Sequence, residues 1–169
     1  YPPSPKVAAA LRDFTTGALN LYPDPLCVRI REHLAKLHGC EADDIFVGNG
    51  SDEVLRLATG AWVEDDGAIG FFNPSYSLYP VLAEIREVPG IAIPLPDAPD
   101  LPDCLAKAAL PKAPDLFFVA NPNAPTSTQF PKAAMRKFCE RFPGVVVIDE
   151  AYAAFADEDC LGLALSLPM

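Results

Sequence analysis

The sequence predicts an α/β fold with a mostly parallel sheet and helices on both faces. Three observations carry this. Apolar runs of strand length (Ala68–Phe72, Ile91–Ile93, Leu116–Ala120, Val145–Ile148) alternate with segments of helical period. The runs are continuously apolar, as expected of strands covered on both faces. Most of them stop at a polar cluster, and ligands sit at the carboxyl ends of the strands in open α/β sheets.

Taken in order, Tyr1-Pro-Pro-Ser-Pro5 resists regular structure, and Ser4 with Pro5 forms a cap and first-turn pair for a helix ending near Gly17. Asp24 caps a second helix expected to start at Pro25, with Leu26, Ile30, Leu34 and Leu37 at helical spacing and Gly39 as its stop. Ile45–Val47 reads as a short strand entering Gly48-Asn-Gly-Ser-Asp-Glu53, after which a helix carries Val54, Leu55, Leu57, Ala58 and Ala61. The strand Ala68–Phe72 leads to Asn73-Pro-Ser-Tyr76 and a helix running to about Glu87. Pro80 is tolerable there only within the first turn, whose amides have no intrahelical partner. After Ile91–Ile93 come a loop over 94–103 and a short helix over 104–109. Leu116–Ala120 then ends in Asn121-Pro-Asn-Ala-Pro-Thr126, and residues 131–142 form a helix. Val145–Ile148, following Pro143-Gly144, reads as a central strand buried on both faces, with Asp149 the first residue past its end.

The length of 169 residues fits one domain, or a large part of a bigger one, with enough chain for a real core. A formal charge of −10 argues against nucleic acid and anionic membrane surfaces as partners. No apolar run reaches the length of a membrane span, and no basic then apolar leader opens the sequence, so a cytoplasmic location is expected. Cys27, Cys40, Cys104, Cys139 and Cys160 are scattered, odd in number and without CxxC spacing. They read as reduced thiols, mostly core filler, and no metal site is expected.

Four clusters are expected on one edge of the sheet: Gly48–Asp52, Asn73–Tyr76, Asn121-Pro122 and Asp149–Tyr152. Gly50, Ser51 and Asp52 open a helix, whose free amides suit a phosphate, although a plain capped turn looks the same in sequence. The loop is not G-x-G-x-x-G. The acidic strand end also resembles that of an ATPase, but the chain has no phosphate-loop lysine, which leaves a nucleotide-binding domain a distant reading.

Six motifs in order form a recognisable set: Ser4-Pro-Lys6, Leu21-Tyr-Pro-Asp24, Val47-Gly-Asn-Gly-Ser-Asp-Glu53, Pro74-Ser-Tyr-Ser-Leu-Tyr79, Asn121-Pro-Asn-Ala-Pro-Thr126 and Ile148-Asp-Glu-Ala-Tyr152. Together they resemble the fold-type-I, pyridoxal-phosphate-dependent aminotransferases, and most closely the histidinol-phosphate group. The resemblance implies that pyridoxal 5'-phosphate is the cofactor and that Asp149 pairs with its pyridine nitrogen. It implies that Asn121 and Tyr152 hydrogen-bond the phenolic oxygen, that Tyr76 stacks on the ring, and that Gly50, Ser51 and Asp52 hold the phosphate. Tyr22 is similar to a tyrosine that reaches the phosphate from a partner subunit, which implies a homodimer with a shared site. A helix-start role for Tyr76 and local packing of the Tyr22-Pro23 turn are the plainer alternatives.

Two departures stand out. Ala124 and Ser127 replace an asparagine and a glycine that are frequent in this family. The family's Schiff-base lysine lies in a Ser-Lys motif about thirty residues past the aspartate, and none of the lysines here (6, 36, 107, 112, 132, 137) has that context. The expected organisation is an N-terminal helical segment over 1–40 and a partial cofactor-binding large domain over 41–169. The sheet would be incomplete, and the small C-terminal domain absent. The implied reaction is amino transfer between an amino acid and a 2-oxo or phosphorylated keto substrate. A threonine-phosphate decarboxylase shares nearly all these motifs, and a non-catalytic cofactor-binding or dimerising fragment is the alternative from another class.

Overall fold

The computed structural model describes residues 2–14, 19–95, 101 and 113–167. It divides into two compact units, Tyr1–Val47 and Gly48–Met169.

In the first unit, helix α1 spans Pro5–Asp13, with the Ser4 hydroxyl accepting from the Lys6 amide at 3.3 Å. The helix stops before Gly17, at an extended Phe14. Aromatic and β-branched residues follow there, and their χ1 freedom is costly to lose in a helix. Helix α2 spans Val28–His38 and starts three residues later than expected. The Asp24 carboxylate does cap, accepting from the amides of Leu26 and Val28, but Cys27 sits in the left-handed region (φ 49°) and breaks the turn between them. Gly39 (φ 70°) ends α2 as expected. Ile45–Val47 is not a strand. Ile45 has extended dihedrals but follows a 3₁₀ turn, Ala42–Asp44, and the segment takes no part in the sheet. An extended segment becomes a strand only where a neighbour pairs its backbone groups.

The second unit holds the sheet. Helix α3 (Ser51–Trp62) precedes strand β1 (Ile69–Asn73). Helix α4 (Leu78–Arg86) leads to β2 (Gly90–Pro94), and β3 is Leu116–Ala120. Helix α5 (Lys132–Arg141) precedes β4 (Val145–Asp149), and a short α6 (Leu161–Ala164) follows. The order is β2-β1-β3-β4 with every pairing parallel. Pro80 is the third residue of α4, a position whose amide has no partner within the helix. At the start of α5 the Glu158 carboxylate accepts from the first helical amide, that of Lys132, at 2.8 Å, a favourable charge at the positive end of the helix. The helix expected over 104–109 lies outside the described residues.

Side chains alternate between two cores, as the period of a strand requires. Phe72, Phe117 and Val119 face α5 and α6, joining Met135, Phe138 and Leu163. Ile69, Phe71, Leu116, Phe118 and Ala120 face α3 and α4, joining Leu55, Tyr79 and Leu82. Fully burying each large apolar side chain contributes about 1.5–3 kcal/mol relative to leaving it exposed. β3 is buried at every position.

Among the described residues β4 pairs with β3 alone and is half-buried along its length, in keeping with the incomplete sheet expected. It still packs on both faces, Val145 and Val147 against one core, Val146 and Ile148 against the other. Gly144 lets it approach: a Cβ there would lie 2.8 Å from the Pro114 carbonyl oxygen and collide with that of Asp115.

Candidate functional site

Because all the strands run parallel, Asn73, Ala120 and Asp149 close their strands on the same edge of the sheet. A cleft of about 170 Å³ opens at that edge, lined among others by Ser51, Tyr76, Pro122, Asp149 and Tyr152. Its walls come from the start of α3, the loop before α4, the loop after β3 and the end of β4.

Asp149 has the same strand parity as Val145 and Val147, so its carboxylate emerges on the α3/α4 side of the sheet. There its Oδ2 accepts from the phenol of Tyr79 at 2.9 Å, and its Oδ1 accepts from the Ala151 amide at 3.1 Å. Tyr79 is fully buried and stacks on Phe118, with ring centroids 4.8 Å apart and planes 11° from parallel. Burial, and then the charge of Asp149, hold the Tyr79 phenol far above its ordinary pKa, so it remains a donor.

Tyr76 packs edge-on against Tyr79, at 5.7 Å and 90°, and donates to Asp52 Oδ1 at 3.0 Å. That hydrogen bond is the chief reason its phenol titrates above the ordinary value. Gly50 precedes α3 with φ 80° and ψ 175°, a region essentially confined to glycine. This turn presents the first amides of the helix, and Glu53 reaches back to the Asn49 amide at 2.6 Å. Tyr152 lines the cleft and is about half exposed.

The structure thus brings Ser51, Tyr76, Asp149 and Tyr152 to one cleft, with Gly50 and Asp52 beside Ser51. Asn121 is different. It is buried and absent from the cleft wall, its Oδ1 accepting from the Phe130 amide at 2.8 Å and its Nδ2 donating to the Phe130 carbonyl at 3.3 Å and to Cys160 Sγ at 3.6 Å. In this arrangement the amide clamps the loop after β3. Tyr22 belongs to the first unit, where its side chain is fully exposed.

Two residues escaped the sequence reading. Tyr79 is one, although its spacing of three from Tyr76 at a helix start was a usable signal. Asn123 is the other. It is buried, accepts from Ser75 Oγ at 2.6 Å and donates to the Pro74 carbonyl and to Thr126 Oγ1, joining the loops that follow β1 and β3. Asn-Pro-Asn offered two asparagines, and only the first had been singled out.

The arrangement offers a carboxylate able to pair with a cationic ring nitrogen, aromatic faces beside it, and a helix N-terminus suited to an anion. The sequence profile of the family Aminotransferase class I and II matches residues 1–167. The histidinol-phosphate aminotransferase of Syntrophus aciditrophicus is 39% identical over 168 residues, covering 96% of this chain and 46% of that protein. The corresponding enzyme of a Geobacter species is 38% identical over 98% of this chain and 46% of its own length. The chain spans about half the length of the curated relatives it matches. Among solved structures, histidinol-phosphate aminotransferase from Sinorhizobium meliloti in complex with pyridoxal-5'-phosphate superposes with a TM-score of 0.79 at 26% identity, covering 94% of this chain and 43% of that one. L-threonine-O-3-phosphate decarboxylase from Porphyromonas gingivalis shares the fold, with a TM-score of 0.70 at 21% identity over 84% of this chain and 41% of that one. Among the described residues, no helix is long and apolar enough to cross a membrane.

Proposed function

The chain belongs to the aminotransferase class I and II family, and from that premise we propose that it forms the cofactor-holding part of an enzyme moving an amino group between histidinol phosphate and 2-oxoglutarate. One observation carries the reading. The carboxylate of Asp149 and the start of α3, through Ser51, line the same cleft beneath Tyr76. Pyridoxal phosphate needs such a pair, because it has a basic ring nitrogen at one end and a dianionic phosphate at the other.

When bound, that cofactor supplies a protonated ring that accepts electron density from the substrate α-carbon. The residues here do the holding. Asp149 would keep a proton on the ring nitrogen by pairing its charge with it. Tyr76 would pack against the ring, and the α3 amides with Ser51 would take the phosphate. Tyr152 would donate to the phenolic oxygen, a reading supported by its place in the cleft lining. Asn121 shares that role only if its amide turns away from Phe130.

The test is binding of pyridoxal phosphate and pyridoxamine phosphate, followed by absorbance and calorimetry. Weak, reversible binding that Asp149→Asn reduces roughly tenfold but leaves measurable is expected, while the melting curve stays near that of the parent. Equal binding by that variant would overturn the reading.

We also propose that Tyr22 completes the phosphate site of a second copy in a homodimer. Its full exposure is the supporting observation. Sedimentation giving only monomer at tens of micromolar would count against it.

A second reading concerns the 169-residue chain by itself as a cofactor-binding module without turnover. The supporting observation is that, among the described residues, none lining the cleft is a lysine.

A further inference from the structure

We propose that Tyr79 is a positioning residue for cofactor chemistry, acting through Asp149: its phenol fixes the orientation of the carboxylate that meets the ring nitrogen. The inference deepens the cofactor reading above and rests on it.

Tyr79 is the second residue of α4 and completely inaccessible to solvent. A buried phenol must find a polar partner, and this one finds Asp149 Oδ2 at 2.9 Å. The ring itself cannot swing. Its centroid lies 4.8 Å from that of the stacked Phe118, 6.4 Å from that of the tilted Phe71 and 5.7 Å from that of the edge-on Tyr76.

The donor is therefore held from three sides, while its acceptor stands at the end of a half-buried strand. The Ala151 amide binds the other carboxylate oxygen at 3.1 Å. Between them, the two donors fix the plane of the carboxylate and leave its remaining lone pairs toward the cleft.

A carboxylate on a strand end has several accessible rotamers, and pairing with a ring nitrogen uses only one of them. Restricting the choice beforehand removes ordering cost from ligand binding. The phenol also remains a neutral donor across the neutral range, because burial and the neighbouring charge oppose its ionisation. It supports the negative charge of Asp149 without cancelling it. The Tyr76 phenol, by contrast, is directed to Asp52 and leaves this task to Tyr79.

The discriminating substitution is Tyr79→Phe, which keeps the stack on Phe118 and removes only the O–H. The probe is pyridoxamine 5'-phosphate, which binds without a lysine. Two readouts are needed: its dissociation constant and the ultraviolet spectrum of the bound ligand, which reports whether the ring nitrogen is protonated.

The unaltered chain should bind with the ring protonated. Tyr79→Phe should weaken binding roughly tenfold, on the scale of a hydrogen bond to a charged group, and lower the protonated fraction at neutral pH. In an Asp149→Asn background the same substitution should change neither readout. That null result separates positioning through Asp149 from general loosening of the core, which would weaken binding in both backgrounds.

If Tyr79→Phe binds like the parent with an unchanged spectrum, the assignment is wrong and the cofactor reading stands. Equal weakening in both backgrounds also overturns the assignment alone. If the unaltered chain shows no binding, the cofactor reading falls and takes this assignment with it. Should Tyr79→Phe melt well below the parent, both readouts are taken at a temperature where both chains are fully folded, and the same outcomes decide.

Discussion

Ser75 and Asn123 are joined by a hydrogen bond of 2.6 Å, tying the loop after β1 to the loop after β3. Those loops carry Tyr76 and Pro122, both on the cleft wall. The bond therefore acts as a strut across the base of the site.

Asn123→Ala should consequently cost stability as well as binding. It removes the partner of Ser75 Oγ and of the Pro74 carbonyl, both in a part-buried setting, while Thr126 Oγ1 keeps its bonds to Thr128. An intramolecular hydrogen bond contributes about 0.5–1.5 kcal/mol net. Urea unfolding should show a loss of about 1 kcal/mol. A midpoint equal to the parent's would show that water replaces the strut at no cost.

At the start of α3 the backbone should matter more than the hydroxyl. Ser51→Ala leaves the helix amides in place and should weaken phosphate-type ligands by no more than roughly threefold. Gly50→Ala meets open space but holds φ 80° and ψ 175°, so strain of about 1–3 kcal/mol is expected. Calorimetry with pyridoxamine phosphate and a melting curve separate the two effects. A Ser51→Ala loss exceeding that of Gly50→Ala would reverse this ranking.

Alkaline pH should loosen the second unit through Tyr79. Its phenol titrates above the ordinary value of 10.0 in the folded chain, held there first by burial and then by Asp149. A raised pKa means that the folded state holds the proton more tightly. The associated stability is complete below about pH 10 and declines as pH rises above the unfolded value. Absorbance at alkaline pH should show one tyrosine ionising last, together with unfolding, and Tyr79→Phe should remove that late step. A late step that persists in the variant would assign it to another residue.

The 169-residue chain assayed alone should not transaminate. The supporting observation is that none of its lysines has the family's Ser-Lys context and, among the described residues, none lines the cleft. A lysine is needed to hold the cofactor aldehyde and to carry the α-proton. Mixing with pyridoxal phosphate, reducing with borohydride and gel filtration should leave no chromophore on the protein. Turnover with a single modified lysine would refute this.

Much of the architecture was legible because β1, β3 and the apolar run of β4 carry their signal locally. Apolar residues at Val145–Ile148 record two covered faces, and β4 has both; composition is silent on which hydrogen-bonding edges are paired. What misled was Ile45–Val47, since β-prone residues do not supply a pairing partner. That Asp149, Tyr76 and Ser51 share one cleft was legible from the order of the strand ends. The clamp of Asn121 on Phe130 was not, because its partners lie nine and thirty-nine residues away. Tyr79 stayed hidden because an aromatic in an apolar helix looks like filler until Asp149, seventy residues on, is seen to accept from it.

The alternation along β4 has a genetic consequence. Asp149 faces Tyr79 because it is in phase with Val145 and Val147, two positions that carry no chemistry. Removing one codon within Val145–Ile148 would keep a plausible valine-rich strand, yet turn every later side chain to the opposite face. The carboxylate would then lie over Phe130 and Phe138, out of reach of the phenol. Substitution tables would rate these valines interchangeable with isoleucine, and deletions there would be silent in composition. The tolerance of this stretch is thus lopsided: wide for the identity of each residue, and narrow for their number.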